Sequence, residues 1–292
     1  MGKKKINNVF SAISPQAALN MLIILAVVAT VIMVFVLMDR YVQTRAFILG
    51  HGTALELVDV PPWVNRTLKK KIYNAALALG NDFKLDETAA RNLQENIASQ
   101  VAWLENPQVQ VTHNAFRVRG KWRKPLGLIK AGTNKKFYVD ADSVVLDFVP
   151  VAKLPVVTIR GTKTPASAPE PGETLEQEDL AAAVALLEQL DRMDRIASPR
   201  RPLLFELDSI DVSNFDGRQS DKFPHIVFFT KDNTQIVWGA ELDNWHRHLE
   251  ATDEQKLAKL YSFYKEQGTL SGKVQVINLR DPQQVVQPID KY

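Results

Sequence analysis

Five histidines, His51, His113, His225, His246 and His248, are the side chains best suited to bind a metal or to move protons near neutral pH. Only His246 and His248 are close in sequence, and a His-x-His pair shares a face on a strand but diverges on a helix. No third ligand stands beside them, whereas zinc ordinarily takes at least three protein ligands. Exposed loop histidines, and no metal centre, are therefore expected. Gly268 to Lys273 has some features of a phosphate loop. However, three residues rather than four separate its glycines, and Val274 stands where Ser or Thr would hold the cation. Asp208, Asp211 and Asp216-Gly217 suggest a calcium loop, but aligning Gly217 to its turn glycine puts Val212 and Phe223 at the two terminal ligand positions, where neither can ligate. Carboxylate pairs for glycoside chemistry are defined by distance in space, and no flanking motif favours one over solvated surface acids. Cys is absent, which excludes disulfides, thiolate zinc sites, iron–sulfur clusters and cysteine nucleophiles. The sequence thus predicts no catalytic residue, cofactor or small-molecule substrate.

Charge is more informative than catalysis. The formal charge is +3, from 36 Lys and Arg against 33 Asp and Glu, and Lys3, Lys4 and Lys5 account for all of it. The remainder is balanced, so the broad positive field that drives nucleic-acid binding is absent. The distribution is uneven, however. Between Glu105 and Asp140 there is no acid, while Arg117, Arg119, Lys121, Arg123 and Lys124 cluster around Trp122, with Lys130, Lys135 and Lys136 beyond. Glu170 to Asp191 holds seven acids and no base. A solvated hairpin face and an acidic helix start account for these runs. Alternatively, Arg117 to Lys124 form a patch for anionic headgroups or an acidic partner.

The elements that must carry these residues begin with an apolar run. No charge interrupts Ile6 to Met38, and residues 17–38 span about 33 Å as a helix, enough for a hydrocarbon core of about 30 Å. A retained transmembrane helix over 17–38 is expected, after a cytoplasmic tail over 1–16 with its three lysines. A signal peptide would have a shorter apolar core and a small-residue cleavage site. A juxtamembrane segment over 39–53 and an extracytoplasmic remainder would follow.

Leu55 to Val60 alternates like a strand, and Pro61-Pro62 suit a helix entrance. Val64, Leu68, Ile72, Ala75, Ala76 and Leu79 recur at helical spacing up to Gly80. Ala90, Leu93, Ile97, Val101 and Leu104 mark a second helix stopped by Pro107. Strands follow around Gln108 to Thr112, Phe116 to Trp122 and Leu126 to Lys130. Lys136 to Val139 and Val144 to Phe148 flank a hairpin turn at Asp140 to Ser143. A Pro-rich loop over 162–172 precedes a helix with a Thr174/Gln177 capping box and a stripe of Leu180, Val184, Leu187, Leu190 and Met193. Strands are predicted over Leu204 to Val212, Ile226 to Thr230 and Gln235 to Trp238. A helix over Thr252 to Gln267 and a last strand, Lys273 to Leu279, complete the order. The fold class is α+β: an N-terminal transmembrane helix, a β-α-α-β-β domain over 54–132, then a mixed β-sheet domain with two helices over 133–282 and a tail over 283–292.

This order resembles the FtsQ/DivIB family of bacterial cell-division proteins across nearly the whole chain. Phe137-Tyr138-Val139-Asp140, Val144 to Leu146, and Leu154-Pro155-Val156 with Gly161 look like that family's "D-x-x-G, then L-P-x-I-x-G" passage. Ile236 to Gly239, the Lys256-to-Leu260 helix and Val276-Ile277-Asn278-Leu279-Arg280 look like its closing strand, helix and "V-D-L-R" strand. Pro61-Pro62-Trp63, Ser143 and Asn278 depart from the family pattern. The resemblance implies a POTRA domain at 54–132 and a non-enzymatic, single-pass scaffold of the divisome in the bacterial inner membrane, at the septum. It also implies FtsB/DivIC-like and FtsL-like partners alongside the bilayer.

The last strand could dock such a partner through its backbone edge, with Val274, Gln275, Val276, Ile277, Asn278 and Leu279 as the contact residues. The opposing expectation is a covered or interior strand, since native sheets protect their edges. An envelope enzyme and an envelope-binding module without a division role remain the alternatives.

Overall fold

The computed structural model describes residues 15–43, 46–49, 53–78, 84–132, 135–163, 169–272 and 274–281. Leu79, Gly80 and the tail over 283–292 lie outside them. Helix α1, Pro15–Gln43, forms over the apolar run. Among the described residues no helix is long and apolar enough to cross a membrane. That finding corrects the expected transmembrane helix over 17–38 and, with it, the inner-membrane placement drawn from it. The α+β class stands.

Two sheets carry the rest. The first has the order β1-β2-β4-β3, formed by β1 (Ala46–Leu49), β2 (Thr53–Leu57), β3 (Leu104–Val111) and β4 (Ala115–Trp122). Helices α2 (Arg66–Leu77) and α3 (Glu87–Gln100) lie between β2 and β3 in the chain, which reproduces the predicted β-α-α-β-β order. Local details differ from the expectation. Pro61-Pro62 form a turn closed by Val64 N–H on the Pro61 carbonyl, and α2 starts only after Asn65, whose Oδ1 accepts from Leu68 N at 3.0 Å. Leu104 and Pro107 belong to β3, not to the helix before it. The register with β4 shifts between Glu105 and Gln108, where Asn106 takes φ +48°. Such a bulge in an edge strand accommodates a proline that a central ladder would reject.

The second sheet has eight strands in the order β12-β11-β10-β9-β8-β5-β6-β7. They are β5 (Gly127–Ala131), β6 (Lys135–Val139), β7 (Val145–Asp147), β8 (Val157–Arg160), β9 (Leu207–Asp211), β10 (Ile226–Thr230), β11 (Gln235–Gly239) and β12 (Val276–Asn278). β5 pairs with β6 and β8, so it belongs to this sheet and not to the unit that precedes it. Helix α4 (Glu178–Ala197) buries Leu180, Val184, Leu187 and Leu190, and α5 (Asp253–Gln267) buries Leu257, Leu260, Tyr261 and Tyr264 against the same core. Each such side chain contributes about 1.5–3 kcal/mol. The capping box lies at Thr252/Gln255 of α5. At α4, Gln177 makes no side-chain cap bond, and Thr174 instead bridges to Val144.

The hairpin β6–β7 separates two apolar cores. Tyr138 and Leu146 join the core around Trp103 and α2, whereas Phe137, Val139 and Val145 join the core around α4. This follows from the alternation of side chains along a strand. The seam is also bonded: Trp103 Nε1 donates to Asp147 Oδ1 at 3.0 Å, and Asn65 Nδ2 donates to the Pro150 carbonyl at 2.8 Å.

Candidate functional site

The residues whose types could do chemistry are mostly dispersed or paired. His248 packs edge-on against His225, with ring centroids 4.6 Å apart, and His225 Nδ1 lies 3.4 Å from Glu241 Oε2. His246 packs instead on Trp245. Among the described residues no group of three or more His, Asp or Glu side chains could hold a metal. Asp208 pairs with Arg160 at 2.9 Å, Asp211 Oδ1 accepts from Ser213 N, and Gly268 is the left-handed cap of α5.

The basic run is matched by acids. Arg117 pairs with Glu56, Arg119 with Asp59, and Lys121 with Glu105. Arg123 Nη1 reaches Asp140 Oδ2 at 2.7 Å, and Lys124 reaches Asp191, part of the acidic run, at 2.5 Å. Trp122 is buried. The Lys121 hydrogen bond, aided by Arg123 and opposed by desolvation, holds the Glu105 carboxyl below its usual range. Each of the five cations thus has an acidic partner within salt-bridge distance, while the Arg117, Arg119 and Lys121 side chains stay largely exposed.

The last strand is different. β12 lies at the end of the eight-stranded sheet and, among the described residues, pairs in parallel with β11 alone. Gln235 N donates to the Gln275 carbonyl at 2.9 Å, and Leu279 N donates to the Val237 carbonyl at 3.0 Å. In such a ladder alternate residues turn their backbone groups to opposite sides. Gln275, Ile277 and Leu279 therefore face β11, and Val276 and Asn278 face outward. From Val276 to Leu279 the side chains alternate as well: Ile277 and Leu279 are buried, Asn278 is half-buried and Val276 is 49% exposed, whereas Gln275 before them is also exposed. Val274 lies before the regular strand and is buried in the core. The strand is also shorter than Lys273 to Leu279, and Lys273 lies outside the described residues.

The opposite edge of the same sheet is covered. Gly172 N donates to the Val145 carbonyl and Val145 N to the Glu173 carbonyl, both at 2.8 Å, so β7 is paired along its outer side. At the head of β12 a cleft of about 390 Å³ opens between the β10–β11 turn at Asp232 to Thr234 and residues Val274 to Val276. Burial works against ionisation of Asp232, but hydrogen bonds from Thr230, Thr234 and Ser271 keep its carboxyl below the usual range.

Sequence reasoning found the strand but missed the residues that frame it. Thr234 Oγ1 donates to the Val274 carbonyl at 3.2 Å, and Lys259 Nζ donates to the Asn278 carbonyl at 2.7 Å and the Asp281 carbonyl at 3.1 Å. Both side chains come from elements distant in sequence, and no spacing rule marks them. No family model matches the chain, and no curated protein matches it.

Proposed function

We propose that this chain is a non-enzymatic docking scaffold that receives an extended segment of a partner protein along β12. The observation that carries this reading is the contrast between the two ends of one sheet. β7 is closed by the 172–175 segment, while β12 presents outward backbone groups and a half-exposed valine. Main-chain bonds supply affinity in such strand addition, and pockets for alternate side chains supply specificity. The resemblance to FtsQ/DivIB proteins extends the proposal to a scaffold of the bacterial divisome with FtsB/DivIC-like and FtsL-like partners.

Depletion in a bacterial host that encodes the chain is expected to block septation and give filaments. Wild-type chain should restore division. Val276→Pro, which removes an outward N–H at an edge position where proline is tolerated, should restore neither division nor co-purification of division proteins, although the variant remains folded. Normal septation on depletion, or full rescue by Val276→Pro, contradicts the proposal.

A further inference from the structure

The length of the open edge is set by side chains. The Val274 carbonyl is taken by the Thr234 hydroxyl at one end, and the Asn278 carbonyl by the Lys259 ammonium at the other. Among the described residues, what is left facing outward without a partner is the N–H and C=O of Val276 and the N–H of Asn278. Lys259 reaches this carbonyl from α5, half-buried, while it also holds the Asp281 carbonyl. Lysine on a strand edge is a known means of preventing unwanted pairing, and here the ammonium bonds the very acceptor that a second strand would need.

We infer that Lys259 is the guard of this edge: it restricts strand addition to Val276 and the Asn278 N–H, and prevents two copies of the chain from pairing through β12. The inference rests on the docking reading above and adds the residue that regulates it. An incoming strand that extends past Val276 must displace the ammonium or leave one of its own N–H groups without an acceptor, which is costly once water is excluded. The occupant is therefore a short extended segment of another polypeptide. A second copy of this chain is disfavoured because a symmetric pair would meet the guard twice.

The test uses the full chain and a phage-displayed library of linear peptides as the strand probe. Clones are first sorted by whether Val276→Pro abolishes their binding. Those that depend on Val276 are expected to bind Lys259→Met about fivefold tighter, since one backbone acceptor is released, and to bind Lys259→Arg as they bind wild type. Lys259→Met should also form concentration-dependent dimers in sedimentation, reversed by adding Val276→Pro. Circular dichroism and thermal melting establish that each variant is folded. Equal or weaker binding by Lys259→Met, together with no dimer, overturns the guard while leaving the edge in place. Weaker binding would mean that the ammonium receives a partner's carboxylate instead. A library that yields no Val276-dependent clone contradicts the docking reading itself, and dimerisation of Lys259→Met then still reports on the guard alone.

Discussion

Lys256 Nζ lies 2.7 Å from Glu250 Oε2 and 5.2 Å from the centre of the Trp238 ring, with the lysine at 0% exposure. The same carboxylate oxygen accepts the Ala240 N–H at 3.0 Å. This clasp ties β11, the loop after it and α5 into one unit behind the candidate edge. Removing one member of a buried ion pair strands the other and costs about 3–5 kcal/mol. Lys256→Met and Glu250→Gln are each expected to lower unfolding free energy by that amount in urea titration. The double variant should lose less than the sum of the two.

Gly239 makes room for that carboxylate. It sits at φ +97°, and a Cβ there would lie 2.1 Å from Glu250 Oε2. Gly239→Ala therefore combines backbone strain with a clash against a buried charge, and should cost at least about 1–3 kcal/mol. Adding Glu250→Ala should recover part of the loss. Additive effects in denaturant midpoints would contradict the steric account.

Arg123 and Arg119, neighbours in the basic run, should respond to substitution to very different extents. Arg123 is half-buried against the buried Asp140, whose Oδ1 also accepts Asp142 N at 3.0 Å and Val144 N at 2.8 Å to shape the β6–β7 turn. Arg123→Met leaves the buried Asp140 without its cation and should destabilise the fold by about 1–3 kcal/mol. Arg119, largely exposed beside Asp59, should change stability by no more than about 0.5 kcal/mol when replaced by Met. Binding to vesicles of acidic lipid should be weak for wild type and insensitive to Arg119→Met, as measured by co-sedimentation.

Acid should loosen the region around the candidate edge first. The Asp232 carboxyl is held below its usual range, as is that of Glu241. At Glu241, burial is outweighed by its own backbone, His225 and Asn244. A carboxyl with a depressed folded pKa contributes stability above its ordinary pKa and loses it as pH falls through the folded value. Stability should therefore be retained above about pH 4.5 from these two groups and decline below it. Amide exchange in the β10–β11 turn should rise over that range. Asp232→Asn should flatten the decline, and an unchanged profile would remove Asp232 from the account.

Local features of this fold are legible from the chain, and pairings between distant segments are not. The stripes of α4 and α5 and the Asp140 turn depend on neighbours within a few residues, so periodicity and turn chemistry reveal them. Pro107 misleads because a proline reads as a stop, while the register shift that lets β3 carry it depends on β4. Thr174 has the chemistry of a cap but is engaged by Val144, far from it in sequence. β5 fits either sheet by pattern, and only its bonds to β6 and β8 assign it. The apolar run is plain in the composition, yet among the described residues no helix is long and apolar enough to cross a membrane. In the candidate site the strand itself was legible. Its exposure and the side chains that bound it were not, because they depend on which strands stand next to it.

The hairpin that lends Tyr138 and Leu146 to one core and Phe137, Val139 and Val145 to the other acts as a party wall. Neither compartment keeps all its sides if the chain is cut near residue 132, so fragments made there should each melt early. The intact protein should instead show one calorimetric transition, and a pull exerted at β12 should be felt as far away as Trp103.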